Sequence, residues 1–98
     1  MNQQVTIIAT LHARAGQEEA LATRMRAMAL DTRREAGCIL YDLQRSSDDP
    51  REFIMVEYWA DAQALALHDA SAHMAALRAD LPALLERPVA VRRYTPAG

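Results

Sequence analysis

"CILYDLQRSSDDPREFIMVEYWA", residues 38–60, places two apolar runs on either side of one short polar cluster. Residues 38–46 and 52–60 each read as a β-strand, rich in branched and aromatic side chains. Ser47-Asp48-Asp49-Pro50 between them is turn chemistry. So short a spacer makes the two strands an antiparallel hairpin. In the second strand Phe53, Met55, Glu57 and Trp59 share one face, and Tyr58 points to the other.

Outward from this hairpin the chain alternates. On its N-terminal side, residues 4–13 form a strand with Val5, Ile7, Ala9 and Leu11 on one face and Thr6, Ile8, Thr10 and His12 on the other. Both faces carry apolar groups, so this strand belongs in the centre of a sheet. Gly16 breaks it, and Gln17, Glu18 and Glu19 suit a helix N-terminus. Leu21, Met25, Met28, Ala29 and Thr32 then recur at helical spacing, which predicts a helix over about 17–35 with Gly37 as its C-terminal cap.

On the C-terminal side Asp61 is an N-cap for helical sequence over about 62–81. A break is expected near Asp69–Ser71, where Ser71 caps a second segment. Leu77, Leu81 and Leu84 or Leu85 supply the buried stripe. Pro82 is expected to end or kink the helix. Residues 89–94 read as a last strand.

The order β-α-β-β-α-β is the split βαβ, ferredoxin-like arrangement of the α+β class. Right-handed crossovers put both helices on one face of a four-stranded antiparallel sheet. The opposite face needs a cover, and a second copy of the sheet is the simplest one.

Bulk properties narrow the function. Ninety-eight residues read as one domain over 1–98. A chain of this size buries only about 60–65% of its unfolded surface. Hydrophobic residues make up 51% but aromatics 5%, so the core rests on aliphatic side chains and methionine. A subunit partner would supply further burial. The net charge is −2 and all eleven basic residues are arginine, scattered in mixed-sign surroundings. That argues against nucleic acid, which requires a larger one-signed patch. No run approaches the ~18 apolar residues of a membrane span, and no signal peptide is read at the N-terminus. The lone cysteine, Cys38, excludes an internal disulfide and fits a reducing, cytoplasmic setting.

Four stretches in this order carry a family likeness: "RAGQEEAL" (14–21), "EAGCILYDLQRSSDDP" (35–50), "FIMVEYWAD" (53–61) and "ALHDASAHM" (66–74). The chain resembles the antibiotic biosynthesis monooxygenase domain of the dimeric α+β barrel superfamily, in particular its small quinol-monooxygenase-like members. The resemblance implies a homodimer with facing sheets and a pocket between sheet and helices in each subunit. It also implies oxidation of a small aromatic quinol or polyphenol by molecular oxygen, with neither metal nor flavin as cofactor. Other relatives degrade haem, isomerise lactones, or lack a known activity. Haem degraders use an asparagine on the first strand, which Val5–Thr10 does not contain. Two further departures are Met74, where the family has phenylalanine, and Ala36, where it has proline.

Within that frame His68 is the candidate base, since a neutral imidazole accepts a phenolic proton near neutral pH. Glu57, a carboxylate among apolar neighbours, is its candidate acid–base partner. Trp59, Tyr41, His73, Phe53, Met55 and Met25 are candidate substrate contacts, Trp59 as the wall of a flat slot. The bland alternatives are a Glu57–arginine ion pair, Trp59 as core filler, and histidines on a helix surface or satisfied in the core. His73 lies five residues after His68, about 140° around an unbroken helix. The pair therefore lacks the i, i+4 spacing of a zinc helix, although a break near Ser71 would bring them closer. No metal site is assigned. Asp48-Asp49-Pro50 reads as a solvated turn. Two rival functions remain: a dimeric small-molecule-binding or stress-response module without turnover, and an isomerase-type member of the superfamily.

Overall fold

The computed structural model describes residues 3–98. The elements are β1 (Val5–His12), α1 (Glu18–Thr32), β2 (Cys38–Arg45), β3 (Glu52–Trp59), α2 (Ala62–Asp69), α3 (Ala72–Leu84) and β4 (Ala90–Tyr94). The strands form one antiparallel sheet in the order β2-β3-β1-β4. This is the βαββαβ ferredoxin-like arrangement, with β1 central as its two-faced pattern requires.

Alternation sorts the side chains. Val5, Ile7, Ala9 and Leu11 of β1 and Phe53, Met55, Glu57 and Trp59 of β3 are buried beneath the helices. Their neighbours Thr6, Ile8, Ile54, Val56 and Tyr58 are half-buried on the other face. The stripe Leu21, Met25, Met28, Ala29 and Thr32 of α1 is buried against that core, as are Leu77, Leu81 and Leu85. Strand β4 is exposed along its length. Among the described residues no helix is long and apolar enough to cross a membrane.

The break between α2 and α3 is built by one side chain. Ser71 Oγ accepts from the Met74 N–H at 3.2 Å, capping α3, and donates to the His68 carbonyl at 2.7 Å, closing α2. Asp61 caps α2 in the same way, accepting from Ala64 at 2.8 Å. Ser71→Ala is expected to destabilise the fold by about 1 kcal/mol, read as a lowered urea midpoint with an unchanged slope.

Two helix-end expectations are corrected. Helix α1 stops at Thr32, and its C-terminal position is Arg33 in an ordinary right-handed conformation, not Gly37. Positive φ occurs at Gly16 (86°) and not at Gly37. Gly37 is required for space instead, because a side chain there would collide with Ala64. Pro82 does not end α3; it lies inside the last turn, and the helix runs on to Leu84. The Arg14 guanidinium occupies the freed end by donating to the Pro82 carbonyl at 3.0 Å.

Candidate functional site

Register lays out the floor of the site. Tyr41 pairs with Glu57, Glu57 with Ile7, and Ile7 with Arg93, so one row across all four strands carries three polar groups and one apolar side chain. All four point to the helix side. The next row runs through Leu43, Met55, Ala9 and Val91. Helices α2 and α3 roof β1 and β3 but leave β4 open. Between roof and floor lies a cavity of about 460 Å³.

Its walls are largely apolar: Ile7, Ala9, Leu11, Met25, Met55, Leu65, Leu77 and Leu81 contribute, with Met74 and Val89. Tyr41, Glu57 and His68 bring polar groups to the inner end, and Asp69, Arg78 and Arg93 are charged residues on the lining. An apolar chamber with a few convergent polar groups is the usual form of a small-molecule site.

Glu57 forms no ion pair with an arginine among the described residues. Its Oε1 accepts the Trp59 Nε1–H at 3.0 Å. Burial pushes the Glu57 carboxyl up to about 7; the Trp59 hydrogen bond opposes this, and the charges of Asp69 and Glu35 add to it. Burial, and then the Glu57 charge, also raise the Tyr41 phenol well above its ordinary range. The Cys38 thiol is raised by burial and by Glu35 and Glu57, conditions that keep it unreactive.

His68 is 2% exposed and its ring is fixed on three sides. Trp59 lies against it at 4.5 Å between centroids, and Tyr41 meets it edge-on at 5.6 Å. Glu35 Oε2 lies 2.8 Å from His68 Nδ1. Where Glu35 accepts this hydrogen bond, Nδ1 carries the hydrogen, and a neutral ring leaves Nε2 as the acceptor. The same Oε2 lies 2.8 Å from His73 Nε2.

The cavity thus collects five of the residues singled out from sequence: Met25, Tyr41, Met55, Glu57 and His68. Three others sit elsewhere. Trp59 is not a slot wall; it is fully buried behind His68, because its indole is drawn to Glu57. Phe53 lies in a separate groove beside α1 and β2, under the Arg45 guanidinium at 4.5 Å. His73 lies outside the lining but joins His68 through Glu35, since the chain breaks at Ser71 and the 140° separation no longer applies.

Glu35 itself was not among the candidates. It sits in the turn after α1, at the end of the span that the sequence reads as helix. The expectation of no clustered metal-type ligands is corrected too. Glu35, His68 and His73 bring three ligand atoms within 4.8 Å of one another, as do His12, Asp49 and Glu52 at the hairpin.

A family model described as antibiotic biosynthesis monooxygenase matches residues 4–80. The chain is 38% identical over 96 residues to "Putative monooxygenase Rv0793" of Mycobacterium tuberculosis, covering 98% of this chain and 94% of that one. The solved structure of Rv0793 is similar with a TM-score of 0.91 at 37% identity, over 97% of this chain and 96% of that one. PA3566 from Pseudomonas aeruginosa has a TM-score of 0.92 at 35% identity, covering 100% of this chain and 98% of the other.

Proposed function

The chain belongs to the antibiotic biosynthesis monooxygenase family, and on that premise we propose that it oxidises a small aromatic quinol or polyphenol with molecular oxygen, His68 acting as the base. The family and its relative's name support a general monooxygenase-like role. The observation that carries the finer reading is the placement of His68. Its Nδ1–H is held by Glu35 at 2.8 Å, and it lines an apolar cavity beside Tyr41 and Glu57.

The chemistry follows from that placement. His68 Nε2 removes a phenolic proton from the bound quinol. The phenolate passes one electron to oxygen, and the two radicals join as a ring carbon–oxygen bond. Loss of water from the resulting hydroperoxide leaves a new ring oxygen; a hydroquinone plus O2 gives a hydroxyquinone plus H2O. All four electrons come from the substrate. Tyr41, kept as a phenol, and Glu57 in its protonated form donate hydrogen bonds to the developing oxyanion. Trp59 acts through His68 and Glu57, fixing both without touching substrate.

The half-buried outer sheet face, with Ile8, Ile54, Val56 and Tyr58, supports a homodimer in which a second copy covers it. Sedimentation equilibrium is expected to give twice the chain mass.

Purified protein stripped of metal is expected to consume oxygen when given a reduced naphthoquinol, at a rate proportional to enzyme and above the autoxidation blank. Saturable binding of the quinol without oxygen uptake would reassign the site to a binding module. Turnover of a lactone under anaerobic conditions would reassign it to an isomerase.

A further inference from the structure

We propose that Glu35, His68 and His73 form a binding site for a divalent transition-metal ion, with Glu35 Oε2, His68 Nδ1 and His73 Nε2 as its three protein ligands. The three come from separate segments: the turn after α1, the last turn of α2 and the first turn of α3. The fold nevertheless converges them, with the carboxylate oxygen 2.8 Å from each imidazole nitrogen and all three atoms within 4.8 Å.

Two imidazoles and one carboxylate are a donor set suited to zinc, cobalt or ferrous iron. Ligands about 2.1 Å from a tetrahedral ion lie ~3.4 Å apart. The two oxygen–nitrogen separations of 2.8 Å would widen by about 0.6 Å to reach that spacing. An ion would replace the two hydrogens that now bridge the carboxylate and the rings, with a small opening of the side chains.

The surroundings hold the donors in place. His68 is wedged between Trp59 and Tyr41. Ser71 fixes the angle between the two histidine-bearing helices. The turn that carries Glu35 is pressed against α2 at Gly37 and Ala64. Access is from the outside, since the side chains of Glu35 and His73 are 18% and 25% exposed while that of His68 is 2% exposed. Three protein ligands leave further positions for water.

The other cluster, His12, Asp49 and Glu52, is a weaker candidate. Asp49 Oδ1 is engaged by the Arg51 N–H at 2.9 Å. The cluster serves as an internal control.

Occupancy has a chemical consequence. An ion on His68 Nδ1 forces the ring hydrogen onto Nε2, so Nε2 changes from acceptor to donor. This consequence alone rests on His68 being the base; on that reading the ion inhibits turnover. The site itself is tested without activity.

The full chain, untagged and stripped of metal, is titrated with Zn(II) by calorimetry and with Co(II) by visible absorption. One equivalent per chain at micromolar affinity or tighter is expected. His73→Ala is expected to weaken it by at least ~100-fold. Glu35→Gln, which keeps the shape and the acceptor oxygen but removes the charge, is the second variant should His73→Ala melt early. Glu52→Gln is expected to leave the affinity unchanged. Absence of saturable binding, or binding lost in Glu52→Gln and retained in His73→Ala and Glu35→Gln, overturns the proposal.

Discussion

His68→Gln is expected to lower quinol-dependent oxygen uptake by about 10²–10⁴-fold, the usual contribution of a positioned general base. Glutamine is the informative replacement. Its amide can still donate to Glu35 Oε2 and roughly fills the space against Trp59, so the packing of the α2–α3 junction is preserved. It cannot accept a proton at neutral pH. The loss is therefore expected in kcat, with KM changed little, because the apolar walls that hold the substrate are untouched. A compensating signature comes from substrate acidity. Quinols with lower phenolic pKa values arrive already ionised and should recover much of the lost rate in the variant. If His68→Gln turns over at the native rate with an ordinary quinol, His68 is not the base, and Glu57 is left as the group able to take the proton.

The sheet and helices were legible in the sequence because their signals are local. Two-residue alternation marked the buried face of β3, and Ser71, a capping side chain ahead of a new apolar stripe, marked the helix break. His68 and Trp59 could be brought together from sequence because nine residues of strand end, cap and helix allow little freedom between them. Their division of labour could not. Which ring meets the cavity depends on Trp59 being drawn down to Glu57, a contact between residues two apart whose direction no periodicity encodes.

Glu35 was hidden for a different reason. It lies 33 residues from His68 and 38 from His73, in a turn whose conformation is set by tertiary packing. The close approach of Gly37 to Ala64 that helps place it also depends on α2, so the glycine looked like a helix cap instead. The open side of the cavity was equally obscure. Val91 and Arg93 reach it through register with Ala9 and Ile7, and register is a property of paired strands rather than of either strand alone.

Glu57→Gln is expected to stabilise the protein at alkaline pH by up to about 3 kcal/mol while changing little at pH 4. The native carboxyl is pushed from its ordinary 4.5 to about 7, mainly by burial. The folded state therefore holds one more proton than the unfolded state between those values. Stability that is fully present below pH 4.5 declines through this window by ~1.4 kcal/mol per pH unit and levels off above pH 7. Glutamine is neutral throughout and still accepts the Trp59 N–H, so it removes the penalty of burying a charge without orphaning the indole. Urea unfolding of both proteins at pH 4, 6 and 8, at one fixed chain concentration, should give curves that nearly coincide at the lowest pH and diverge as pH rises. At pH 8 the variant should melt more than 10 °C above the native protein, since each kcal/mol moves a domain of this size by about 4–8 °C. Curves separated by the same amount at every pH would mean that the carboxylate is solvated in the native state. That outcome would also remove the acid that the oxygenase reading places beside the substrate, whereas a divergence confined to pH 4.5–7 would leave Glu57 half-protonated near neutrality, poised to give or take a proton there.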